Sequence, residues 1–93
     1  MKTYRLLISG NVQGVNYRAS AKQAAIQLRL TGTVRNLESG EVEAIVSGDP
    51  ERVQEFIEWA KKGPAMAEVD KVIIEETSYN PFTDFQIIRS KDL

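Results

Sequence analysis

Apolar and polar positions along the chain change period several times, and each change marks an element. The stretch "YRLLISGNV", from Tyr4, is rich in Leu, Ile and Val and alternates in part, which predicts a strand over about Tyr4–Gly10. "QGVNYR" follows as a loop. In "ASAKQAAIQLRL", Ala21, Ala24, Ala25 and Leu28 recur at the spacing of one helical stripe, and Thr31-Gly32 ends the pattern. "TVRNL" and "EVEAIVSG" read as two strands joined by the short loop "ESG". In the second of them Val42, Ala44 and Val46 alternate with Glu41, Glu43 and Ile45.

A second helix is announced by its ends. Asp49 suits an N-cap and Pro50 a first helical position, while Lys61, Lys62, Gly63 and Pro64 supply cations, a C-cap glycine and a stop. Val53, Phe56, Ile57 and Ala60 share its apolar face, with Trp59 at the margin. "VDKVIIEE" predicts a fourth strand, "TSYNPFT" a turn-rich connection and "DFQIIRS" a fifth strand. The order β-α-β-β-α-β plus an edge strand is that of two split βαβ units. It predicts an α+β fold, a ferredoxin-like α/β sandwich with two helices on one face of a mainly antiparallel sheet. The expected strand order is 4-1-3-2 with the fifth strand at an edge, in one domain over residues 1–93. Many unrelated functions use such a fold, so function has to be sought in side chains.

Composition removes several chemistries. The 93 residues contain no cysteine, hence no disulfide and no thiolate. They contain no histidine, which takes away the commonest general acid/base and metal ligand. No metal or cofactor is expected. No stretch approaches the roughly 20 apolar residues that span a bilayer. Polar residues also interrupt the apolar run of "MKTYRLLISGNV" before signal-peptide length. A cytoplasmic chain without a membrane partner is the expectation. The net charge of −1 conceals an asymmetry: residues 1–37 carry Lys2, Arg5, Arg18, Lys22, Arg29 and Arg35 and no acid, so all thirteen acids lie beyond them. This places a positive field around the first third, suited to a small anion, unless the fold interleaves the two parts and cancels it.

Arg18 is the residue out of place. It falls at the predicted start of a helix, an end that already carries partial positive charge, where a cation costs about 0.3–1 kcal/mol unless an anion sits beside it. No acid is near it in the chain. Gly14 lets the preceding loop curl and aim successive N–H groups inward, and the first N–H groups of the helix have no intrahelical partner. Together they form an anion nest, and Arg18 adds a planar, permanently charged fork matched to phosphate oxygens. On these residues alone, Gly14 equally suits a plain tight turn and Arg18 a solvated side chain. Neither common nucleotide fingerprint is present.

The string Gly10-Asn11-Val12-Gln13-Gly14-Val15-Asn16-Tyr17-Arg18 closely resembles the acylphosphatase signature G-x-V-Q-G-V-x-[Phe/Met]-R. Downstream, Gly32-Thr33-Val34-Arg35-Asn36-Leu37-Glu38-Ser39-Gly40-Glu41-Val42 resembles the second signature of that family, Gly-aromatic-Val-x-Asn-x-x-x-Gly-x-Val. The resemblance covers essentially the whole chain. It implies that Arg18 and the main-chain amides of Gln13, Gly14, Val15, Asn16, Tyr17 and Arg18 hold a phosphoryl group, and that Asn36 holds the attacking water. Three positions depart from the family pattern: Tyr17 for Phe or Met, whose hydroxyl needs a partner if buried; Thr33 for an aromatic residue; and Arg29 where a small residue, often Gly, is usual.

The implied chemistry fits the composition. An acyl phosphate expels a carboxylate, which leaves without a proton, and phosphoryl transfer through a loose transition state is largely positioning and charge stabilisation. A phosphate monoester expels an alkoxide and calls for a general acid, so the absence of histidine argues for an activated substrate. The resemblance implies hydrolysis of a small-molecule or protein-borne acyl phosphate, with phosphate or a similar anion in the loop. The second reading is an acylphosphatase-like anion-binding module with little turnover, as the loss of the aromatic at Thr33 would allow. Nucleic acid is not an expected partner: the aromatic RNP string is missing, and the overall charge is acidic. A monomer is expected.

Overall fold

The computed structural model describes residues 1–89, and Ser90, the end of the expected fifth strand, lies outside them. The elements are β1 (Lys2–Asn11), α1 (Tyr17–Gln27), β2 (Thr31–Asn36), β3 (Val42–Gly48), α2 (Pro50–Lys62), β4 (Glu68–Thr77) and β5 (Phe85–Ile88). They form one five-stranded sheet in the order β4-β1-β3-β2-β5. The order and edge placement match expectation. The β1–β3, β1–β4 and β2–β3 pairs are antiparallel, and β5 joins β2 in parallel.

Alternation assigns the two faces. Leu6, Ile8, Val34, Val42, Ala44 and Val46 are buried beneath the helices, where α2 contributes Val53, Phe56, Ile57 and Ala60. From α1 come Tyr17, Ala21 and Ala25, whose small alanines let the helix sit close to the sheet. Residues one step out of phase, such as Thr3, Arg5, Thr33, Arg35 and Glu43, occupy the opposite face. There Glu43 is almost fully buried between two cations: Arg5 Nε donates to Oε2 at 2.7 Å and Arg35 Nε to Oε1 at 2.8 Å. Burial alone would raise the Glu43 pKa, but the hydrogen bonds and charges of Arg35 and Arg5 win and hold it below the usual carboxylate value. Lys2 pairs with Glu76 at 3.6 Å. Three cations of the acid-free first third are thus matched across strands by later acids, and the interleaving of charge is real.

The same face carries the β4–β5 connection. Thr3 and Ser47 share a hydrogen bond of 2.6 Å, Ser47 Oγ donates to the Asn80 carbonyl at 2.7 Å, and the Asn80 N–H donates to Thr3 Oγ1 at 2.8 Å. With the Ser47 hydrogen committed to Asn80, Thr3 is the donor between the two hydroxyls, so the ring of three bonds is complete. It pins the connection on its way from one sheet edge to the other.

Helix α1 ends earlier than the stripe predicted. Leu28 is its C-cap, the Arg29 N–H donates to the Ile26 carbonyl at 3.0 Å, and the Leu30 N–H donates to the Ala25 carbonyl at 2.9 Å. Both bonds belong to a Schellman closure, which needs a left-handed residue after the cap. Arg29 fills that place at φ 58°. Thr31 and Gly32, expected only to stop the helix, already belong to β2. Among the described residues no helix is long and apolar enough to cross a membrane.

Candidate active site

The site grows from the irregular end of β1. A register shift at Ser9/Gly10 in the β1–β4 ladder bends the strand. Val12 then anchors the following loop in the core. Gly14 has φ +76°, and a Cβ there would meet nothing, so backbone conformation and not space calls for glycine. Asn16 repeats the left-handed conformation at φ 65°, with Val15 between them outside that region. Alternation of this kind turns consecutive N–H groups toward one side, the geometry of an anion nest.

Asn16 is also the N-cap of α1, and its side chain makes no capping bond. The Ser20 N–H donates to the Asn16 carbonyl at 3.1 Å, which leaves the N–H groups of Tyr17, Arg18 and Ala19 without intrahelical acceptors. No acidic residue lies in the first turn. Among the described residues no carboxylate pairs with Arg18. Positive potential is therefore concentrated at this helix end.

A cavity of about 210 Å³ opens there, bordered by Gly14, Asn16, Arg18, Ala19, Asn36 and Arg89. Asn36 reaches it from the last position of β2, on the helix-facing side of the sheet because it shares the phase of Val34. Its Oδ1 is buried and accepts no hydrogen bond among the described residues. A buried amide oxygen without a partner is costly, by about 1–3 kcal/mol, and points to a guest that donates. A second hollow of about 400 Å³ adjoins the first through Asn36 and Arg89, with Gln13, Arg35, Leu37 and Ile88 among its walls.

Of the residues singled out in the sequence, Arg18 and Asn36 therefore share one cavity, with Gly14, Asn16 and Tyr17 around it. Gln13 and Val15 do not border it. Val15 packs against the core, and the Gln13 side chain turns to the β2–β3 hairpin, donating from Nε2 to the carbonyls of Leu37 and Glu41 at 2.9 Å each. Tyr17 meets its requirement for a partner: its hydroxyl donates to the Ala60 carbonyl of α2 at 2.8 Å, and its ring lies 5.2 Å from that of Trp59. Burial pushes its pKa well up, which keeps it a neutral donor. Thr33 stands on the far face and borders neither cavity, so the missing aromatic does not open the site. Lys22 borders neither cavity either. Arg89 is the residue that sequence reasoning passed over. It fell inside the predicted fifth strand with no role assigned, and only the parallel β2–β5 pairing brings it beside Asn36.

The arrangement defines a class: a ferredoxin-like α+β fold with an anion-sized, cation-lined cavity at the N-terminus of its first helix. Comparison with known proteins makes the assignment specific. Residues 4–87 match the acylphosphatase family. The chain is 48% identical to the acylphosphatase of Acaryochloris marina over 85 residues, 91% of each chain. Its structure superposes on an acylphosphatase from Coxiella burnetii with a TM-score of 0.91 at 36% identity, covering 94% of this chain and 92% of that one. For the Bacillus subtilis acylphosphatase the values are 0.92 and 31%, covering 95% and 99%. The chain belongs to the acylphosphatase family.

Proposed function

We propose that this chain hydrolyses acyl phosphates at the cavity shared by Arg18 and Asn36, through in-line attack of water on phosphorus. An acyl phosphate dianion and water give a carboxylate and dihydrogen phosphate. The bond between phosphorus and the bridging acyl oxygen breaks as the bond from water to phosphorus forms. Arg18 and the loop amides of residues 13–18 neutralise and orient the phosphoryl oxygens, where charge develops in a loose transition state. The Asn36 carboxamide accepts a hydrogen bond from the water and aligns it. Asn is no base at neutral pH, so the water proton passes late, to a phosphoryl oxygen of the substrate itself. The carboxylate leaves without protonation, and the scheme needs no general acid.

The observation that carries this reading is that Asn36, whose Oδ1 is buried without a hydrogen-bond partner among the described residues, borders the same cavity as Arg18 and the open helix N-terminus. The alternative of a binding module rested on Thr33, and its position on the opposite face takes away that support. Benzoyl phosphate hydrolysis at neutral pH with chelator present tests the assignment. The expected outcome is turnover by the native chain and a loss of about 10³-fold or more in kcat/KM for Arg18→Ala. For Asn36→Ala a loss of about 10²-fold in kcat is expected, with phosphate inhibition little changed. Equal activity in the three proteins would overturn it.

A further inference from the structure

The two halves of the site hang from different parts of the sheet. Arg18 and the amides follow β1, whereas Asn36 precedes the β2–β3 hairpin. The β1–β3 ladder ends at the Ile8–Val42 pair, so the sheet does not set the distance between the loop at 12–16 and the hairpin at 37–41. Among the described residues, the hydrogen bonds that join these segments are the two made by Gln13 Nε2, to Leu37 and Glu41. Both carbonyls also close the hairpin itself: Leu37 N–H donates to Glu41 O at 2.8 Å and Gly40 N–H to Leu37 O at 3.1 Å. Leu37 follows Asn36 directly.

We infer that Gln13 is a positioning residue, whose side-chain amide substitutes for the missing ladder and fixes where the Asn36 carboxamide stands relative to the phosphoryl cradle. A primary amide places two neutral N–H donors on one nitrogen, which matches two carbonyl oxygens and brings no charge near them. Without that brace the cradle keeps its own geometry, because Gly14, Asn16 and the helix end form it. The hairpin turn loses its anchor to the loop, and Asn36, at the last ladder pair with Val42, is then fixed from the sheet side alone. An error of 1 Å in a reacting group costs about 100-fold. The inference rests on the proposed roles of Arg18 and Asn36.

Gln13→Met and Gln13→Glu test it, measured against native chain, Arg18→Ala and Asn36→Ala with benzoyl phosphate. For Gln13→Met, kcat is expected to fall about 10- to 100-fold with the inhibition constant for phosphate within about threefold of native. In Gln13→Glu a carboxylate faces two carbonyl oxygens at neutral pH, and on acidification its protonated form regains one O–H donor. Its activity relative to native is therefore expected to rise at least about fivefold between pH 7.5 and pH 5. The pH arm is read within one folded protein, so it decides the matter even if Gln13→Met unfolds. Native kcat in Gln13→Met, or a flat pH ratio with kcat and phosphate affinity falling together, would overturn the positioning role while leaving the Arg18 and Asn36 assignment standing. Full activity in Arg18→Ala and Asn36→Ala would overturn both.

Discussion

The two helices begin in opposite ways. At the start of α2, Asp49 holds an extended conformation and accepts the Glu51 N–H at 2.9 Å, Pro50 fills the first turn, and Glu51 adds negative charge. Lys61, Lys62 and Gly63 complete the far end. Such devices are each worth about 0.3–1.5 kcal/mol and together secure a helix. At the start of α1 none is present: Asn16 is left-handed and caps nothing, the first turn has no acid, and Arg18 adds charge of the disfavoured sign. The open end borders the cavity. The closed end adjoins the Lys2–Gly48 pair, at the opposite end of β1 from the loop that carries the cavity. One helix end satisfies itself and the other leaves its donors open, as the proposed phosphoryl site requires.

The largest break in that contrast comes from giving α1 the acid it lacks. Ala19 is exposed at the third helical position and borders the cavity. Ala19→Glu would place a carboxylate at the open amides, where it stabilises the helix by about 0.3–1 kcal/mol. The same charge repels a phosphoryl dianion by about 1.5–3 kcal/mol at roughly 6–11 Å, with an effective dielectric near about 40 for an exposed group. The expected result is a thermal midpoint no lower than native, with kcat/KM for benzoyl phosphate down about 10- to 100-fold. Native activity with unchanged phosphate inhibition would show that the α1 terminus holds no anion. Asp49→Ala runs the contrast the other way. Loss of the cap is expected to cost about 1 kcal/mol, hence about 4–8 °C in the midpoint, with kcat and KM as native. A drop in activity beyond twofold would show that the two ends are coupled.

The same division governs how much could be read from the sequence. The ends of α2 were legible because capping is local: Asp49-Pro50 and Lys62-Gly63-Pro64 act on their own turns. Arg18 was legible for the reverse reason, as a local rule broken without a local cause. Strand alternation also held a signal about Thr33: Asn36 lies three residues on, so the two side chains fall on opposite faces. The Gln13 brace was not legible, since its partners lie 24 and 28 residues away and follow from the ladder stopping at Ile8–Val42. Arg89 was hidden by the parallel register that sets Ile88 against Arg35, a pairing that turn chemistry does not encode. The resemblance to acylphosphatases supplied the role of Asn36, which its position before a hairpin turn would not have done.

The smallest effect sharpens the contrast at the other end of α1. Arg29 carries φ 58° in the Schellman closure, and for a residue with a Cβ this conformation costs about 1–2 kcal/mol. Glycine removes that cost but makes the unfolded chain freer, which returns about 0.4–1 kcal/mol. It also removes a cation beside the helix C-terminus, worth about 0.3 kcal/mol when exposed. The terms leave a net gain of about 0.5 kcal/mol for Arg29→Gly, seen as a higher urea midpoint at unchanged slope. Arg29 borders neither cavity, so kcat and KM should stay native. A lower midpoint would mean that the guanidinium, and not the backbone angle, decides the residue at this position. The far end of α1 would then sit at its stability optimum, and departure from that optimum would be confined to the cavity end.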